Sequence, residues 1–315
     1  MRRFAKILLI VSAGLAAAGI LLVVASGFMG GHFSDLWNDR LQLPAFIHFG
    51  SRETAPHNEY SQSNTYSVTA EGINALQIDW VSDDVVIKIG ETEQIVFSET
   101  GVGLTEKTAL RYDVQGGTLA IYYCADQPFL NISLPEKQLT VNMPAILAAN
   151  LQSLSVETVS ADVTIVDPLF HMEKLDFGTV SGNLNAVIDF AGTLELETVS
   201  GNVTVSGTIN EWEADSNSGN ITVSGAINKF ETESVSGDVL LDCRDGAPNE
   251  LDVDTTSGEV EFCLPQTADL TLAYETVSGD FNSAYAMSIH NGNYVIGGGR
   301  SKWNVETVSG NLTVK

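Results

Sequence analysis

The chain has 315 residues, of which 44% are hydrophobic and 17% charged; that is enough apolar content to fill a core and too much for wholesale disorder. Forty acidic residues against 15 basic ones give a formal charge of -25, which repels phosphate backbones and excludes nucleic acid as a partner. Three cysteines, Cys124, Cys243 and Cys263, are too few and too oddly numbered for a disulfide framework or a tetrahedral zinc site.

Residues 7–29 run without a charge. At about 1.5 Å per residue, a helix of that length crosses the roughly 30 Å hydrocarbon layer of a bilayer. Arg2, Arg3 and Lys6 precede the run, and Asp35 and Asp39 follow it, so the basic flank is expected to stay cytoplasmic and the bulk of the chain to face outward at the cell membrane. Two readings stay open: an uncleaved anchor, which the length of the run favours, and a signal peptide cut after the small residues Val23 and Ala25. Residues 35–315 hold 12 basic and 40 acidic residues, so the outer part carries -28. Residues 30–72 mix Gly, Pro44, Pro56, Ser and Asn with a few large apolar side chains and read as an extracellular spacer.

From residue 73 the sequence repeats. Glu-Thr-Val-Ser-Gly begins at Glu197, Glu275 and Glu306, with near copies at Glu157, Gly178, Asp215, Glu233, Asp254 and, more remotely, Asp79. The central serines are Ser82, Ser160, Ser181, Ser200, Ser218, Ser236, Ser257, Ser278 and Ser309, and from Ser160 their separations are 21, 19, 18, 18, 21, 21 and 31. A period of 18–21 residues marks a solenoid. Six residues before the serine and three after it the residue is apolar every time, as at Leu154, Leu175, Leu194 and Trp212 or Val163, Leu184, Val203 and Ile221. These two positions have opposite parity along an extended chain, so the chain must turn between them. The Ser-Gly step is the expected corner, with glycine and the following Asn or Asp tolerating positive φ, and with strain where Ala161 and Asp83 replace glycine.

The resulting fold class is all-β, a parallel β-helix preceded by one transmembrane helix. Residues 73–150 form a less regular continuation, with strands expected near 95–98, 110–114, 118–123, 130–134 and 139–143. With rungs about 4.8 Å apart, the distance from Ser82 to Ser309 predicts about twelve steps. Gly116-Gly117 reads as a tight turn, and the insertion before the last copy as a hairpin or loop ahead of a final coil.

The repeated Thr-Val-Ser-Gly-Asp/Asn-aliphatic phrase, Leu139-Thr-Val-Asn-Met-Pro144, Val260-Glu-Phe-Cys-Leu-Pro265 and the closing 304–310 stretch, together with the apolar N-terminal run, resemble the bacterial β-strand-repeat "putative adhesin" family. The resemblance spans about 72–315. It implies a surface location, a β-helix and, for some members, a link to cell-envelope stress responses, and it brings no catalytic residue with it.

Acidic side chains recur three residues before the serine, at Glu157, Glu197, Asp215, Glu233, Asp254, Glu275 and Glu306. Stacked about 4.8 Å apart, neighbours would repel by roughly 0.9 kcal/mol even at the dielectric of water. The ladder Glu197, Asp215, Glu233, Asp254 and Glu275 is a Ca²⁺ candidate because it supplies hard oxygen donors in a rigid array, while a solvated acidic face is the plainer reading. The Thr and Ser columns read as internal hydrogen-bonding ladders in preference to a sugar-binding array. Carboxylates dispersed by the repeat do not converge as acid and base catalysts must, His32, His48, His57, His171 and His290 lack metal spacing, and no serine sits in a nucleophile elbow. The expectation is a non-enzyme without cofactor, held to the membrane through residues 7–29 and binding cell-wall glycan or another envelope protein. Cys243 and Cys263 lie one coil apart with offsets differing by one, which places them on opposite faces as two thiols.

Overall fold

The alternation of apolar and polar residues on either side of each serine builds two strands that meet at a corner, and the copies stack. The computed structural model describes residues 64–124, 135–167 and 170–315; the apolar run 7–29, the spacer up to residue 63 and the expected strand 130–134 lie outside the described residues. The described residues form 22 strands and one helical turn, Ala145–Ala148, and among them no helix is long and apolar enough to cross a membrane. The architecture is all-β and solenoid-like.

Each copy contributes one rung. The strand ahead of the serine pairs parallel and in register with its counterpart in the next rung, for example Leu175↔Leu194, Leu194↔Trp212 and Trp212↔Phe230. The strand after the serine does the same, with Val163↔Leu184, Leu184↔Val203 and Val203↔Ile221. Positions six and four before the serine, and three and five after it, point inward and are buried from the Ser82 rung through the Ser257 rung and in the Ser309 rung. Rows of like residues therefore fill the interior, as the offsets predict.

The order of the rungs departs from the order of the sequence at both ends. Ala75–Trp80, before Ser82, pairs directly with Leu151–Thr158, before Ser160. The residues between are thus an excursion that adds one rung on the far side of Ser82, since Thr118–Tyr122 pairs parallel and in register with Ala75–Trp80 and Lys137–Pro144 does so with Asp84–Gly90; the less regular continuation expected of this half lies outside the first serine rung. Thr65–Thr69 pairs antiparallel with Gln94–Gly101, which pairs antiparallel with Lys137–Pro144, and that strand lies parallel to Asp84–Gly90. Arg111–Gln115 and Thr118–Tyr122 form the hairpin expected around Gly116-Gly117, whose φ values are +60° and +86°. At the other end, Ser301–Thr307 inserts between Glu250–Thr255 and Leu270–Thr276. The last copy in sequence is therefore the penultimate rung, and the Ser278 rung is outermost. The insertion forms the hairpin Ser288–His290/Asn293–Ile296, and its length lets the chain pass the Ser278 rung and return beneath it. Nine serine rungs and the one built by the excursion make a stack about 43 Å long at the usual strand spacing, shorter than the twelve steps expected, because the excursion adds no rung between Ser82 and Ser160 and a single one beyond Ser82.

The corner also differs from expectation. None of Gly182, Gly201, Gly219, Gly237, Gly258, Gly279 and Gly310 has positive φ. Glycine is required there by close approach: a Cβ on Gly201 would lie 1.8 Å from the carbonyl oxygen of Gly182, and one on Gly219 would lie 1.9 Å from that of Gly201. Asp83 does take a strained left-handed φ of +71°, whereas Ala161, next in the column, is buried without one. The Asn or Asp after the glycine serves as a ladder: Asn183 Oδ1 accepts from the Asn202 amide at 2.9 Å, Asn202 Oδ1 from the Asn220 amide at 3.1 Å, and Asn220 Oδ1 from the Asp238 amide at 3.0 Å. From Ser160 onward each serine hydroxyl donates to a carbonyl of the neighbouring rung, as Ser200 does to Val180 at 3.2 Å and Ser309 to Thr256 at 3.3 Å, while the Ser82 hydroxyl meets that of Tyr123 at 3.4 Å. Within a rung, buried Thr179 and Thr198 accept from the amides of Gly182 and Gly201 at 2.8 and 2.9 Å. The hydroxyl columns are structural, consistent with the internal-ladder reading.

The closed end holds one buried charge pair. Lys137 Nζ lies 2.6 Å from Glu99 Oε2, both side chains being fully buried; it also donates to the carbonyls of Thr108 and Tyr123 and rests over the rings of Trp80 and Tyr123. Burial lowers the Lys137 pKa, and Glu99 opposes that shift.

Candidate binding face

With positions four and six before the serine turned inward, positions three and five lie on the outward side of the same sheet, although Asp254 in the first of these columns is itself buried. The first of these columns is the acidic ladder read from the sequence. Register places Asp79 opposite Glu157, Glu197 opposite Asp215, Asp215 opposite Glu233, and Glu233 opposite Asp254. Four of the five Ca²⁺ candidates, Glu197, Asp215, Glu233 and Asp254, are thus consecutive. The fifth, Glu275, is not their neighbour, because Glu306 stands between it and Asp254. The ladder is interrupted at Gly178, between Glu157 and Glu197.

The second column, five before the serine, holds Asp176, Glu195, Glu213, Glu231 and Asp252, aligned in register. Sequence reasoning missed it, although the parity argument that placed the core columns contains it. Together the columns form a two-wide strip of carboxylates along the stack. Basic partners are few: Lys174 Nζ is 2.7 Å from Glu195 Oε2 and 3.7 Å from Asp176 Oδ2, and Lys229 Nζ is 3.1 Å from Glu231 Oε2. Asn304 donates to Asp252 at 2.8 Å.

The strip holds its charge against a cost. Glu157 is pushed up to about 7, chiefly by desolvation and then by the carboxylates of Asp79, Asp176 and Glu197. Desolvation likewise raises Glu197, helped by Asp215 and Asp176, and raises Asp215, helped by Glu213 and Glu231. Asp176 is raised by desolvation although Lys174 pulls the other way. Among the described residues, no three His, Cys, Asp or Glu side chains are grouped so as to hold a metal ion. Stacked carboxylates of this kind offer a row of acceptors to cationic groups.

The stack also carries an open depression of about 600 Å³, lined by Ser206, Thr208, Ser224, Asp242, Arg244 and Asp245 among others. It lies where two 18-residue coils pass through Gly207 and Gly225, paired within the continuous strands Val203–Ser216 and Ile221–Ser234, and the longer coil above them projects a loop past Asp242. The unequal serine spacing was the sequence signal for it. Arg244 is exposed and tied back to Asp242 through Nε at 2.8 Å. The thiols are separate: Cys243 and Cys263 are both free, Cys243 is buried, and its Sγ faces the Cys263 carbonyl at 3.4 Å, as the offset of one residue requires.

These rungs, their glycine corners and the closed first turn define a family fold. Residues 73–315 match the family model described as Toastrack DUF4097, and the chain belongs to that family. No curated protein matches it. A solved structure described as a putative lipid binding protein, from Parabacteroides distasonis ATCC 8503, is 17% identical with a TM-score of 0.50, covering 80% of this chain and 96% of its own; at that identity the likeness shows the fold alone. Another, described as a putative adhesin from Bacteroides fragilis NCTC 9343, is 14% identical with a TM-score of 0.44, covering 80% of this chain and 96% of its own.

Proposed function

We propose that the chain is a binding or recognition module of the bacterial envelope, adhesin-like and without enzymatic activity. In this reading it is a parallel β-helix anchored in the cell membrane through residues 7–29, with its bulk outside. The observation that carries it is the strip of Glu157, Asp176, Glu195, Glu197, Glu213, Asp215, Glu231 and Glu233, whose spacing is fixed by the rungs. Folding keeps Glu157, Asp176, Glu197 and Asp215 crowded although burial penalises their charged forms. A rigid array of like charge suits a partner that presents cationic groups at matching intervals. The carboxylates run in parallel rows and do not converge on a cleft, which supports a binder over a polysaccharide-active enzyme.

The test is capture from intact envelopes by the full-length chain, with wall glycan and membrane proteins scored separately. Capture is expected to fall with rising salt and to be lost in the triple variant Glu197→Gln, Asp215→Asn, Glu233→Gln. Capture indifferent to both overturns the reading. The alternative, a structural or regulatory ectodomain in an envelope stress response, rests on the family resemblance. It predicts that deleting residues 7–29 abolishes function, whereas a binder keeps its affinity.

A further inference from the structure

A solenoid exposes the end of its core unless something covers it, and the two ends of this stack differ. At the Ser82 end the excursion covers Ile78 and Trp80 and buries its own Phe97 and Leu119. At the Ser278 end the same core columns finish in Tyr274 and Phe281, both half-buried, and in exposed Ser283. Tyr274, Phe281 and Tyr294 make a chain of ring contacts, with centroids 5.5 and 4.5 Å apart. Beside them Val277 is 73% and Ile289 is 67% exposed. The hairpin covers only part of this end, since it pairs with Leu270–Thr276 at Leu270, Thr271 and Leu272. The strand Phe281–Ser283 pairs with Leu312–Val314 on its inner side, and among the described residues it has no strand partner on its outer side.

We infer that this end is an interface with a second copy of the same chain, joined tail to tail about a twofold axis by antiparallel pairing of the two Phe281–Ser283 strands. An open strand edge is a template for another strand, and a twofold operation brings an edge against itself in the antiparallel sense, so one patch serves both partners. Asn282, the middle residue, faces its own counterpart. Charge selects this geometry. Residues 265–315 hold four acidic residues (Asp269, Glu275, Asp280, Glu306) and three basic ones (Arg300, Lys302, Lys315), so this end is nearly neutral in a strongly acidic molecule. Side-by-side association would press two carboxylate strips together, while end-to-end association keeps them apart.

Sedimentation velocity on the full-length chain over a wide concentration range is expected to show a reversible species of twice 33.7 kDa. The variant Val277→Glu, Ile289→Glu places new like charges across the axis and is expected to weaken the dimer by about tenfold or more. Ile146→Glu, at an equally exposed residue of the opposite end, leaves it intact. Mild oxidation of Asn282→Cys yields a covalent dimer, and Ile146→Cys does not. A chain monomeric throughout, or a dimer broken by Ile146→Glu and spared by the tip variant, overturns the inference; circular dichroism on each variant separates loss of association from loss of fold.

Discussion

Replacing Glu157 by Gln is expected to stabilise the protein at neutral and alkaline pH. The folded-state pKa of about 7, against an ordinary 4.5, means that the folded chain binds this proton more tightly than the unfolded chain does. Stability therefore falls as pH rises from about 4.5, and the penalty is complete above about 7. At 1.36 kcal/mol per pH unit, that displacement sets a ceiling of about 3.4 kcal/mol. Glu157 is half-buried on an outward face, and solvent screening there reduces the effect to about 1 kcal/mol. Glu197, Asp215 and Asp176 are displaced in the same direction, so the wild type should gain stability on going from pH 8 to pH 5.5. Urea denaturation of wild type and Glu157→Gln at both pH values measures this. The expected pattern is a more stable variant at pH 8 and a smaller gap at pH 5.5. A variant less stable than wild type at pH 8, or a wild type indifferent to pH, refutes the reasoning that crowding and desolvation govern this face.

The corner glycines should be far less tolerant than their φ values suggest. Gly219→Ala forces a Cβ to 1.9 Å from the Gly201 carbonyl oxygen and is expected to cost at least about 3 kcal/mol in chemical denaturation, because backbone must move on both sides. Glu99→Gln leaves Lys137 buried without its counter-ion and should cost about 3–5 kcal/mol, whereas replacing both residues by apolar ones of similar volume, Glu99→Leu with Lys137→Met, should cost much less. Asn202→Ala removes the acceptor for the Asn220 amide, with an expected loss of about 1 kcal/mol read from the denaturation midpoint. If Ca²⁺ bridges the consecutive carboxylates from Glu197 to Asp254, millimolar Ca²⁺ should raise the melting temperature above that in matched ionic strength of sodium chloride; equal melting temperatures remove the cation reading.

The inward columns were legible because period and parity are properties of the chain alone: a large apolar residue six before each serine and another apolar residue three after it have one common solution, the stacked rung. The outward acids followed from the same parity, which fixes Asp176 and Glu195 as firmly as Glu197. Rung order was not legible. Nothing local to Ser278 or Ser309 says which lies outermost, because both corners carry the same Thr, Ser and Gly, and either could accept the hydrogen bonds of the Ser257 rung. The choice is made by the 31-residue spacing between them, which supplies a hairpin long enough for the chain to leave the stack and re-enter beneath the rung it has just built. The same logic holds at the first rung, where the chain leaves after Ser82 and returns at Ser160. The glycine requirement was misassigned for a related reason. Positive φ is a property of one residue, but the contact that excludes a side chain at Gly201 is made by a carbonyl 19 residues away, and it exists only once the rungs are stacked. What a repeat encodes well is the rung, and what it encodes poorly is how the stack begins and ends. In this chain the ends carry the excursion, the buried Lys137–Glu99 pair and the open aromatic tip, so the features that distinguish it from a generic solenoid lie where the repeat falls silent.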